Sequence, residues 1–81
     1  MAGDWGRVQR DMEWILNPAN NAKGYGSMKA ALEANDVNRM GQVKNAFHES
    51  TVQPGQWANF DACAEEDQGR LYALGRSILH L

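Results

Sequence analysis

In three separate stretches of this chain apolar residues recur every three or four positions, and nowhere do they alternate with polar ones over five or more residues. Spacings of three and four line one face of a helix, whereas a half-buried strand needs a period of two. The sequence therefore predicts an all-α fold. A chain of 81 residues buries only about 60% of its unfolded surface, too little for a second domain or a deep cleft. The expectation is one domain over residues 1–81, a small bundle of about four helices.

The first stretch carries Trp5, Val8, Met12, Ile15 and Leu16. Asp4 suits the N-cap, and Asn17 before Pro18 marks the stop, because proline disfavours a helical predecessor. This places a helix over 4–16. Pro18 to Gly26, rich in asparagine and with two glycines, reads as a surface connection. Ser27 suits the cap of a short helix over 27–34 with Met28, Ala31 and Leu32 inward. Asp36 suits the cap of another over 36–49, whose stripe is Val37, Met40, Val43, Ala46 and Phe47. Pro54–Gly55 is a turn dipeptide, and the 51–60 segment offers either one helical turn at Trp57–Phe60 or a short extended piece. From Asp61 on, Cys63 or Ala64, Gln68, Leu71, Leu74, Ile78 and Leu81 share a face, which predicts the longest helix over 61–80. In that helix Asp61, Glu65 and Glu66 would complement the positive end of the dipole, and Arg76 and His80 the negative end.

Composition narrows the function. With 43% hydrophobic and 22% charged residues the chain matches folded soluble proteins and not disordered tails. Eight Lys and Arg against ten Asp and Glu give a net charge of -2, without the basic excess that general phosphate binding requires. A single cysteine, Cys63, cannot form an internal disulfide, which suits a reducing compartment. The first ten residues hold no apolar run of signal-peptide length, and apolar runs such as Trp14–Leu16 fall far short of the roughly 18 residues that span a bilayer. A cytoplasmic protein without membrane contact is expected.

Chemistry finds little purchase. Cys63 with His48 or His80 would be a thiol and a base, but Cys63 shares a face with Leu71 and Leu74, and Glu65, Glu66 and Asp67 beside it oppose a thiolate. Spacings of 15 and 17 among His48, Cys63 and His80 give no metal-ligand pair. The glycine-bearing stretch Lys23 to Lys29 could offer amides to an anion, yet it lacks both the dinucleotide and the Walker spacing. Neither an enzyme nor a metal or other cofactor is expected.

Two features remain for recognition of a partner. Asp61, Glu65, Glu66 and Asp67 form an acidic run that suits an arginine-rich or nucleic-acid-binding surface. Trp14, which lies off the stripe of its helix, with Arg10 one turn before it and Tyr25 in the predicted loop, forms an aromatic contact. Together they predict a small acidic helical protein that binds and regulates or inhibits a protein partner. Phage and mobile-element accessory proteins, including inhibitors of host defence complexes, are of this kind. The alternative is a DNA-binding regulator, since 28–47 has the outline of a helix-turn-helix whose second helix offers Arg39, Gln42, Lys44 and Asn45. Neither possible register puts apolar residues at all the positions that motif demands. A third possibility is a subunit that completes its small core as a homodimer.

Overall fold

Each helix of this chain begins or ends at an identifiable polar residue, and those residues set the architecture. The computed structural model describes residues 3–50 and 53–81. Among the described residues it holds five α-helices and no strand: α1 Trp5–Ile15, α2 Ala22–Ala34, α3 Met40–His48, α4 Gly55–Glu66 and α5 Gln68–Ile78, with a 3-10 turn at Val37–Arg39 ahead of α3. The predicted Thr51–Val52 part of the connection before α4 lies outside the described residues, as does the side chain of Val37.

Asp4 starts α1 in extended conformation, and its carboxylate accepts the Arg7 amide hydrogen at 3.2 Å. Asn59 of α4 clamps the same residue, accepting from the Asp4 amide and donating to the Asp4 carbonyl. The start of α1 is thereby fixed to α4. Leu16, Asn17 and Pro18 end the helix where the sequence predicts.

The second helix begins five residues before the predicted Ser27 cap. Asn21 is the cap, its side-chain oxygen accepting the Gly24 amide at 3.0 Å, and Lys23 to Lys29 are helical and not a loop. A Cβ on Gly24 would stand 3.3 Å from the Asn21 side chain, so the glycine lets the cap lie close. The intrinsic cost of Gly24 and Gly26, about 1 kcal/mol each, is offset by burial of Met28, Ala31 and Leu32. The amides that would have formed an anion-binding loop are helix amides. Asn35, at φ 49° and ψ 38°, stops α2 in the left-handed region that asparagine tolerates.

Asp36 caps the 3-10 turn, accepting from Asn38, so α3 proper starts at Met40 and not at residue 36. Two side chains of α5 secure this break: the Tyr72 hydroxyl donates to the Asp36 carbonyl at 2.8 Å and Arg76 donates to the Leu32 carbonyl at 2.9 Å. The Leu32 carbonyl also accepts the Asn35 amide at 3.1 Å, so it takes two donors at the end of α2.

The largest departure from expectation is at the carboxyl side. The predicted helix over 61–80 is two helices, α4 and α5, and the turn expected at Trp57–Phe60 is part of α4. Pro54, at φ −53°, leads directly into it. At Asp67 the backbone is extended, φ −147° and ψ 76°; its amide closes α4 onto the Cys63 carbonyl while its carboxylate accepts the Arg70 amide and starts α5. Apolar spacing runs through this residue because the break costs no extra positions, and spacing alone therefore reads as one helix.

Phe47 and Phe60 stack at 3.8 Å between ring centroids and join α3 to α4. Around them lie Val8, Met12, Ile15, Met28, Leu32, Val43 and Leu71, all fully buried. Gly75 marks a close crossing: a Cβ there would fall within 2.6 to 2.9 Å of Leu32 and Met12 side-chain atoms, so α5 approaches α1 and α2 because it carries no side chain at that point. Among the described residues no helix is long and apolar enough to cross a membrane.

Candidate interaction surface

The residues that the sequence nominates for recognition separate into two regions. One is the seam between α3 and α4. Asp61 lies in mid-helix and holds His48 through both carboxylate oxygens at 3.0 Å. Glu65 meets Lys44 of α3 at 2.7 Å. This contact raises the Lys44 ammonium and lowers the Glu65 carboxyl from their ordinary values, chiefly through the hydrogen bond itself. Asp67 is occupied as the cap of α5. Glu65 and Glu66 are at the carboxyl end of α4, where the dipole opposes negative charge, so the expected dipole match for this run is reversed and Lys44 supplies the compensation at Glu65. Glu66 is exposed and near enough to Cys63 to disfavour its thiolate; burial is the larger cause that pushes this thiol up.

Trp57 closes the same seam, its ring tilted against His48 at 5.1 Å. The indole N–H is buried with no hydrogen-bond partner among the described residues. Sequence reasoning did not single out Trp57 or His48 as a pair, and no local signal could have done so, because their contacts depend on how α3 lies on α4.

The seam also bears on the residues proposed for DNA. Lys44 is engaged by Glu65, and Arg39 stands 4.0 Å from Asp36, while Gln42 and Asn45 face solvent on α3.

The other region is the outer face of α1. Trp14 is 37% exposed, one of two large hydrophobic side chains so exposed among the described residues; the other is Leu81. The remaining tryptophans are half-buried and ring-packed: Trp57 on His48, and Trp5 under the Arg70 guanidinium, 4.3 Å from its centroid. The backbone under Trp14 is held firmly. Its carbonyl accepts from the Asn20 side chain at 3.0 Å, the Asn17 side chain accepts from Ala19, and neighbouring Ile15 and Leu16 are core residues. Asn17, read from sequence as the stop of the helix, and Asn20, in the predicted connection, thus make the platform of the exposed ring. Arg10 is exposed one turn before Trp14.

Between them and the core lies Asp11. Its side chain is 9% exposed; Arg7 Nε stands 3.3 Å from Oδ1, and Oδ2 has no hydrogen-bond partner among the described residues. Burial raises the Asp11 carboxyl above its ordinary value, and Arg7 offsets part of that rise.

Tyr25, expected beside Trp14 as an exposed loop residue, is instead on α2, half-buried against the core, with Lys29 over its ring at 5.8 Å. Among the described residues no three His, Cys, Asp or Glu side chains group as a metal site. No protein-family model matches the chain, and neither a curated protein nor a solved structure shows significant similarity to it.

Proposed function

We propose that this chain is a small helical binding protein that docks on a protein partner through the outer face of α1, with Trp14 as its anchor and Arg10 beside it. The observation that carries the reading is the contrast among the three tryptophans: two are half-buried against other side chains, and the third is exposed to solvent on a backbone whose carbonyl Asn20 holds. A large ring held in place loses little freedom on binding, which is why tryptophan and arginine dominate interface energetics. By covering a surface of its partner such a protein regulates or inhibits it, with no chemistry of its own.

The acidic run contributes less to this reading than its sequence suggested, because Asp61, Glu65 and Asp67 are engaged inside the fold. A second reading, DNA docking through α3, draws on the exposed Gln42 and Asn45 after the capped break between α2 and α3. Affinity capture with the intact protein separates the two. The expected result is a stoichiometric protein that survives nuclease and is lost when Trp14→Ala replaces the wild type. Equal capture by Trp14→Ala would overturn the proposal, and nucleic acid recovered in its place would transfer the function to α3.

A further inference from the structure

Two cations and two carboxylates lie along α1, and the fold pairs one of each. Arg7 Nε stands 3.3 Å from Asp11. Among the described residues Arg10 makes no hydrogen bond or ion pair, and Glu13 accepts only from the Gln9 side chain at 3.4 Å. Arg10 and Glu13 share the outer face of α1 with Gly6, one turn before Arg10, and with Trp14: positions i, i+4, i+7 and i+8, all exposed. The unmet charges are of opposite sign, so a uniformly acidic or a uniformly basic surface repels one of them. A surface that carries the same two charges in reverse order meets both.

We infer that this face pairs with the same face of a second copy of the chain, the two α1 helices antiparallel across a two-fold axis. This rests on the proposed docking face and adds an occupant to it. In such a self-complementary contact, Arg10 of each copy meets Glu13 of the other. An axis near residue 11 brings these two to within about 1.5 Å of the same level along the helices. The same axis turns each Trp14 toward the Gly6 end of the other copy. A Cβ on Gly6 would meet only the Asp4 carboxylate, at 3.3 Å, so the surface above it is open to a neighbouring ring. A helix of 11 residues is about 16 Å long and covers less than the roughly 800 Å² per partner of a standard stable interface. The pair is therefore weak and concentration-dependent, and it covers Trp14 until a partner with more surface displaces it.

Analytical ultracentrifugation of the full chain, over a concentration series reaching the millimolar range, tests the pairing. Wild type is expected to pass from monomer to dimer. Trp14→Ala, Arg10→Glu and Glu13→Arg should each weaken association roughly tenfold or more. The decisive sample is a mixture of the Arg10→Glu and Glu13→Arg chains. Each repels itself, but together one chain brings two glutamates to the contact and the other two arginines, so a heterodimer of near wild-type strength should form. Thermal melts establish that all three variants fold.

A monomer at every concentration, a dimer indifferent to either charge reversal, or a mixture that stays monomeric would overturn the inference. Its failure is distinguishable from failure of the docking face itself. A monomeric chain whose captured partner is lost with Trp14→Ala keeps the docking face and discards the second copy. A partner indifferent to Trp14→Ala discards the docking reading, and the charge-swapped mixture still decides whether the face is a dimer seam.

Discussion

The seam between α3 and α4 and the outer face of α1 are built from the same materials, a tryptophan with charged side chains around it, yet one is closed and the other open. In the seam two carboxylates of α4 are met from the facing helix, Asp61 by His48 and Glu65 by Lys44, with Trp57 laid across the imidazole. On α1 the ring and Arg10 face solvent, and of the two carboxylates nearby Asp11 is sunk into the protein with an oxygen unpaired while Glu13 is exposed beside Gln9. A cluster of charge in a sequence is therefore a poor guide to where a protein meets others. What matters is whether the fold has already supplied the opposite group.

The comparison breaks most visibly at the core of the seam. Phe47→Ala removes one of two stacked, fully buried rings and is expected to cost about 3–5 kcal/mol, a large part of the stability of a domain this size. Urea denaturation measures it; a loss below about 1 kcal/mol would mean that the α3–α4 contact is not structural.

Asp11→Asn gives an intermediate effect with a pH signature. The folded-state carboxyl titrates above its unfolded value because burial disfavours the charge, so the folded state is penalised at neutral pH and relieved as pH falls and the group protonates. The variant, neutral throughout and of the same shape beside Arg7, should melt higher than wild type at pH 7. The gap should close as pH falls through the raised folded value toward the ordinary 3.8. A pH-independent gap, or a less stable variant at pH 7, would show that Arg7 fully compensates the charge.

The smallest effect on stability is expected from Trp14→Ala, within about 0.5 kcal/mol, as for surface substitutions elsewhere. Calorimetry on the two proteins decides it, and a loss of several kcal/mol would reassign Trp14 to the core and close the second region too.

Much of the fold could be read from local signals. The all-helical class, both ends of α1 and the inward stripe of α3 follow from three- and four-residue spacing and from Asp4, Asn17 and Pro18. Failures came where two local signals conflicted. Gly24 and Gly26 read as loop, while Asn21 had already started a helix that packing through Met28 and Leu32 sustains. At Asp67 unbroken apolar spacing hid a single extended residue. The candidate surface was legible in part, since the angular position of Trp14 on α1 marks it as off the buried stripe. That Asp61 and Glu65 would be met by residues 13 and 21 positions earlier was not legible, because only helix packing brings them together.

Asp67 has one more consequence. Were helix to run through it, α4 and α5 would fuse into a rod of about 24 residues and about 36 Å. The molecule's longest dimension is 31 Å. Such a rod could not fold back on its own α1 and α2, and its apolar stripe would find cover most readily on a second chain, the exchange known as domain swapping. One capped residue thus holds the difference between a self-contained bundle and an interlocked pair.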